Sequence, residues 1–146
     1  MEQVIFQSAN DDELPVIFQM LRDNHLPFED ITHISIQNFL LAKFETLTIG
    51  CIGIEEFKEI ALLRSFCVKE SYRKLRIGKS MYQMMENSCH KKGITELFLL
   101  TTTAESYFTK LGFLVTDRSK TPEFIKNTTQ FRLICPDSAI CMKKNL

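Results

Sequence analysis

Between Asp11 and Asn24 the apolar residues Leu14, Ile17, Phe18 and Leu21 recur every three or four positions, the spacing that puts them on one stripe of an α-helix. Asp11, Asp12 and Glu13 lead into it, where the positive end of a helix dipole favours acids. Pro27, in LPFEDI, then breaks the pattern, because a proline pushes the residue before it out of helical dihedrals; a short helical turn can follow. Residues 38–44 and 47–57 are rich in β-branched and aromatic side chains, and Glu45-Thr46 between them can turn, so the two read as a hairpin. A further apolar run, EIALLRSFCV at 59–68, empties into the charged segment KESYRKLRIGKS, which reads as a basic loop.

From Ile77 the spacing is helical again, through Met81, Met84, Met85, Ser88 and Cys89, with Gly93 placed as a C-cap. This is the longest helix expected. TELFLL at 95–100 reads as a buried strand, and Thr102 with Glu105 resembles a capping box opening the helix AESYFTKLG. Phe113 to Val115 should add a strand. Thr121-Pro122-Glu123 suggests an N-cap with proline at the first helical position, and AICMKK at 139–144 an edge strand. The alternation of elements predicts one α+β domain over residues 1–146, with helices packed on a mixed sheet.

With 45% apolar residues among 146 and no low-complexity tract, the chain can bury a respectable core. Lys plus Arg balances Asp plus Glu at 18 each, so no basic stripe for nucleic-acid phosphates is expected. The N-terminal stretch carries acids rather than a basic n-region, and no apolar run approaches the ~20 residues of a membrane span, so a cytoplasmic protein is expected. Cys51, Cys67, Cys89, Cys135 and Cys141 are odd in number and form no CxxC pair; reduced thiols and no metal are expected. Cys51 and Cys67 sit in apolar runs as small hydrophobes, and Cys135 and Cys141 either pack or hold a soft metalloid as thiolates. His25, His33 and His90 show no ligand spacing.

A strand that ends in a cationic loop opening a helix is a recipe for binding phosphates, since unpaired amides point outward and the dipole adds to them. Arg73, Lys74, Arg76 and Lys79 in YRKLRIGKS meet that description, although such loops are also ordinary solvated surface. The segment LRSFCVKESYRKLRIGKSMYQMM resembles the acetyl-CoA site of the GNAT acetyltransferases, whose loop reads Arg or Gln, two residues, Gly, one residue, Gly or Ala. Arg73 and Gly78 match and Arg76 occupies the first Gly position; amide donation survives there if Arg76 keeps helical dihedrals and swings outward. TTTAESYFTKLGF resembles the second GNAT signature, with Thr101 in place of its Asn and Phe108 in place of its Tyr; Tyr107 is adjacent but about 100° away around a helix. A narrower resemblance, carried by LPFEDI, IGCIGIEE, LLRSFCV, LLTTTAESYF and the tail from Thr121, is to the arsenic-operon-associated N-acetyltransferase branch.

This resemblance implies the GNAT fold, acetyl-CoA as co-substrate and a small amine as acceptor, in the branch an amino-acid-like arsenical or phosphinate linked to arsenic resistance. It implies a cofactor site of Phe66, Cys67, Val68, Arg73, Lys74, Leu75, Arg76, Ile77, Gly78, Lys79, Ser80, Thr101, Tyr107 and Phe108. The Phe66 amide would polarise the acetyl carbonyl and Tyr107 or water would protonate the leaving thiolate. Glu55, ending its strand beside the expected cleft, is the candidate base. Arg64 lies two residues before Phe66, hence on the same face, and in an apolar strand needs an anionic partner: the substrate's acid or Glu55. The alternative is a non-catalytic CoA-binding or metalloid-sensing module, and a homodimer is left open.

Overall fold

The structure of the chain, a computed structural model, describes residues 3–128, 131 and 139–146. Its strands are β1 (Val4–Ser8), β2 (Phe39–Phe44), β3 (Leu47–Phe57), β4 (Ile60–Val68), β5 (Glu96–Thr101), β6 (Leu114–Val115) and β7 (Ile140–Asn145). Its α-helices are α1 (Leu14–Asp23), α2 (Ile77–Lys91), α3 (Glu105–Lys110) and α4 (Glu123–Lys126). The strands form one sheet in the order β1-β2-β3-β4-β5-β7-β6. Among the described residues only β4 and β5 run parallel, joined through α2 as parallel strands require; the other neighbours are antiparallel.

Helices cover both faces of the sheet. The apolar stripe of α1, with Ile17, Met20 and Leu21 buried, packs on Phe39, Leu41, Cys51 and Cys67. On the other face α2 buries Met81, Tyr82, Met85 and Cys89 against Ile52, Ile54, Leu63 and Leu97. Met84 is 44% exposed, whereas Tyr82, not expected inside, is 2% exposed. At ~100° per residue Met84 and Tyr82 flank the stripe of Ile77, Met81, Met85 and Cys89 on opposite sides, each about 80° from its centre, so the periodicity does not separate them; Tyr82 is covered because its ring packs on Phe113 at a centroid distance of 5.9 Å. The Tyr82 hydroxyl is satisfied by donating to Glu86 Oε1 at 2.8 Å.

Other expectations shift for local reasons. The basic segment is wound into a 3₁₀ helix over Glu70–Leu75 rather than left as an open loop. The N-cap of α3 is Ala104, not Thr102, because β5 continues to Thr101, whose Oγ1 accepts from the Ala104 amide at 3.0 Å. Pro122 takes the cap position of α4 with extended dihedrals, so that helix begins at Glu123, and the Thr121 hydroxyl turns to Cys141 Sγ at 3.6 Å. β7 is not an edge strand: it lies between β5 and β6 with both Cys141 and Met142 buried, one on each face, and β6 forms the edge. Cys51, Cys67, Cys89 and Cys141 are free, buried thiols; Cys135 falls outside the described residues.

Candidate active site

β4 and β5 are hydrogen-bonded neighbours at only three positions, from Ile60 opposite Glu96 to Leu62 opposite Phe98. Beyond them β4 runs on to Val68 and β5 to Thr101 without pairing, and the strands part. A cleft of ≈ 1050 Å³ opens there, walled by residues 63–68 and 99–104, the start of α2, Tyr107 and Phe108 of α3, and part of the connection between α1 and β2.

The wall contributed by β4 is bent by a bulge. Arg64 pairs with Gly53 and Cys67 with Cys51, so Ser65 and Phe66 together oppose Ile52, and Ser65 carries a left-handed φ of 55°. The extra residue reverses the alternation of side chains. Leu63, Phe66 and Val68 turn toward the α2 core, while Leu62 and Cys67 join the clusters of the opposite face, where Arg64 also lies. Arg64 and Phe66, expected on one face, are therefore on opposite faces.

Arg64, 5% exposed, places its guanidinium against Asp30 in a two-pronged pair: Nη1 donates to Oδ2, and Nη2 to Oδ1 at 2.7 Å. Nη1 also donates to Glu55 Oε1 at 2.8 Å and Nε to Ser65 Oγ at 3.0 Å. Burial alone would lower the Arg64 pKa; Asp30 first and then Glu55 outweigh it and raise it. Glu55 is occupied in this pair and is not among the residues lining the cleft.

At the start of α2, Arg76 has φ 60° and ψ 21°, a left-handed conformation rather than the helical one its neighbours suggested. The chain must turn sharply there, from the 3₁₀ helix into α2, which is why glycine suits the position. The first intrahelical bond of α2 is from the Ser80 amide to Arg76 O at 3.2 Å, so the amides of Ile77, Gly78 and Lys79 are the orphan donors of the helix end. Lys74, Arg76, Gly78 and Lys79 line the cleft. Leu75 is 62% exposed, Ile77 is buried in the core and Ser80 points to solvent, so none of these three side chains reaches it. Arg73 lines it too, but its Nε donates to Val68 O at 2.9 Å and its Nη2 to Asn24 Oδ1.

Tyr107 sits over Gly78: a Cβ there would lie 3.0 Å from the tyrosine hydroxyl and 3.5 Å from Phe66 Cζ. Its ring meets Phe66 and Phe108 at centroid distances of 5.9 and 5.5 Å. Burial raises the Tyr107 pKa above its ordinary value, so the hydroxyl remains protonated at neutral pH. Phe108, 8% exposed, packs on Phe66 and Phe113 as core, so the two neighbours divide their tasks as the helical offset implies. The cleft also takes in Asn24, His25, Pro27 and Glu29, which nothing local in the sequence marks out. The Asp30 to Arg64 and Asn24 to Arg73 contacts span 34 and 49 positions. No group of three or more His, Cys, Asp or Glu able to hold a metal occurs among the described residues, and no helix among them is long and apolar enough to cross a membrane.

Comparison with known proteins agrees with this geometry. Among curated relatives, an uncharacterized N-acetyltransferase of Chlorobaculum tepidum is 27% identical over 108 residues, 73% of this chain and 66% of that protein. An amino-acid acetyltransferase of Serratia proteamaculans is 30% identical over 80 residues, 53% of this chain. This chain spans less than two thirds of either relative, the match covering only 18% of the Serratia protein. The fold is shared with N-acetylglutamate synthase of Neisseria gonorrhoeae, solved with coenzyme A and L-arginine, at TM-score 0.84, 17% identity and coverage of 100% of this chain and 34% of that one. It is shared also with PaiA N-acetyltransferase of Thermoplasma acidophilum, solved with coenzyme A, at TM-score 0.72, 18% identity and 99% of both chains. The family model for the acetyltransferase (GNAT) domain matches residues 35–115, more than half of the chain and all of the β4 to α3 machinery, and the protein belongs to the GNAT acetyltransferases.

Proposed function

We propose that this chain transfers the acetyl group of acetyl-CoA to the amino group of a small molecule. The observation that carries the reading is the splayed β4/β5 cleft ending on the orphan amides of Ile77, Gly78 and Lys79. Those amides and the cations of Lys74, Arg76 and Lys79 suit a pyrophosphate, and the gap between the strands suits an extended pantetheine arm lying beside residues 66–68. Acetyl-CoA supplies an activated thioester. The Phe66 amide, released from the ladder by the bulge, donates toward the carbonyl oxygen as charge develops on it. Tyr107, protonated and beside Phe66, delivers a proton to the departing sulfur. An ammonium must lose its proton before it attacks. Glu55, closed on Arg64, passes that task to water in contact with Glu29 or His25 on the cleft wall.

The sequence likeness to the arsenic-operon-associated branch supports an amino-acid-like arsenical or phosphinate as acceptor. The Arg64 fork no longer adds to that support, because Asp30, Glu55 and Ser65 take four of its five N–H donors: one on Nε, two on Nη1 and one on Nη2. The test is calorimetry with CoA, followed by release of free CoA from acetyl-CoA with amino acids, their phosphinate and arsonate analogues, and amines lacking an acid. Binding and acceptor-dependent release are expected. Absence of CoA binding at millimolar ligand sinks the reading, and binding without release from any amine points to a non-catalytic CoA module.

A further inference from the structure

The cleft wall formed by residues 24–30 is fastened at both ends by arginines that flank the splayed part of β4. At one end Asp30 is gripped by the buried Arg64. At the other, Asn24 stands at the C-terminus of α1, where Leu26 N bonds Leu21 O at 2.9 Å and His25 N bonds Arg22 O at 3.1 Å around a left-handed His25 of φ 58°. The Asn24 side chain donates to Met20 O at 2.8 Å and accepts from Arg73 Nη2. Arg73 belongs to the 3₁₀ helix Glu70–Leu75, which runs directly into Arg76 and the orphan amides of α2, and its Nε also holds Val68 O. One planar guanidinium thus touches the end of the pantetheine strand and the start of the opposing wall, from within the turn that presents the anion-binding amides.

We propose that Arg73 is a positioning residue that carries occupancy of the phosphate loop to the acceptor wall: a pyrophosphate settling on the amides of residues 77–79 fixes the turn, the turn fixes Arg73, and Arg73 fixes Asn24 and the wall behind it. Two of its five N–H donors are taken, the one on Nε by Val68 O and one on Nη2 by Asn24 Oδ1, and these two bonds fix the plane of the guanidinium between the strand and the wall. The coupling follows from the rigid fork, whose donors move as a unit, and it rests on the acetyl-CoA reading above.

Hydrogen exchange read by mass spectrometry, with and without CoA, tests it on the full chain. CoA is expected to slow exchange in peptides covering 76–81 and also in those covering 24–31. In Arg73→Met, compared with wild type at CoA concentrations that saturate each protein, the 76–81 protection should persist while the 24–31 response disappears. Asn24→Ala, which leaves the arginine in place, should abolish the same response, and the double variant should add nothing further. Arg73→Lys, which lacks the fork, should behave as Arg73→Met does. If the wild-type wall does not respond to CoA, or if Arg73→Met weakens CoA tenfold or more so that Arg73 is a phosphate ligand, the proposal is overturned while the acetyl-CoA reading stands. If CoA fails to bind at all, both fall.

Discussion

Arg64 and Asp30, 34 positions apart, meet as a bidentate pair in which the arginine side chain is 3% and the aspartate side chain 11% exposed. Deleting one partner of such a pair strands the others: Arg64→Met leaves Asp30 and Glu55 together without a counter-charge. The expected cost is about 3–5 kcal/mol, visible as a clear fall in Tm, and Arg64→Met with Asp30→Leu should recover much of it. Any rise in acceptor KM should be equal for amines with and without an acid group. A loss confined to acid-bearing amines would mean that Arg64 recognises substrate after all.

The left-handed Arg76 predicts a second outcome. A non-glycine residue in that region costs on the order of 1–2 kcal/mol, whereas glycine relieves the strain but adds unfolded-state entropy of roughly 0.5–1 kcal/mol. Arg76→Gly should therefore leave stability within ~1 kcal/mol of wild type, and Arg76→Val, β-branched at the same dihedrals, should lose about 1–2 kcal/mol in denaturant unfolding. CoA affinity of Arg76→Gly should stay within about tenfold, since backbone amides do most of the holding. A larger loss in a folded protein would make the side chain the phosphate ligand.

Tyr107 and Gly78 should be linked kinetically. Tyr107→Phe is expected to lower kcat by ~10²-fold with little change in CoA affinity, because the hydroxyl acts on the leaving group and not on the pyrophosphate. Gly78→Ala places a methyl 3.0 Å from that hydroxyl and must push it aside, so kcat should fall in the same direction, and less than additively with Tyr107→Phe. Since burial raises the Tyr107 pKa, wild-type kcat should show no alkaline loss from this group below about pH 10. Unchanged kcat in Tyr107→Phe would hand the proton to water.

Periodicity made α1, the β2/β3 hairpin, β4 and α2 legible, since each is a long run with a single period, and the strand, basic turn and helix order located the cleft. The rest was hidden for physical reasons. A bulge costs one residue and has no spelling, so Ser65 silently moved Arg64 to the other face from Phe66. Asp30 and Asn24 are partners by tertiary contact alone. The central place of β7 depends on a two-residue strand, Leu114–Val115, pairing outside it, a feature too short to carry a pattern. Arg76 does not keep the helical dihedrals named as the condition for amide donation, because its place between the 3₁₀ helix and α2 demands the left-handed turn that glycine makes most easily.

Glu86 gives the protein an acid-sensitive brace. It lies on α2 where Tyr82 donates to it at 2.8 Å and Lys144 of β7 donates both to it and to Leu111 O, the latter at 2.8 Å. Burial pushes the Glu86 carboxyl upward, but the hydrogen bonds from Lys144 and Tyr82 outweigh it and hold the pKa below its ordinary 4.5. A carboxyl whose folded pKa lies below its unfolded value contributes stability that is fully present above the unfolded value and is lost as pH falls through the folded one. Wild-type Tm should therefore decline as pH drops below about 4.5, with Glu13, likewise lowered and paired with Lys43, adding to the slope in the same direction. Glu86→Gln should be less stable than wild type at pH 7, by on the order of 1–3 kcal/mol for the loss of charged hydrogen bonds, and should show a shallower decline below pH 4.5 because the Glu86 part is gone while those of Glu13 and of Asp117, whose carboxyl pKa is lowered by hydrogen bonds from Ser119, remain. Thermal midpoints of both proteins from pH 3 to 7 decide the matter: parallel curves would mean that the acid sensitivity resides elsewhere and that the Lys144–Glu86 brace contributes nothing to it.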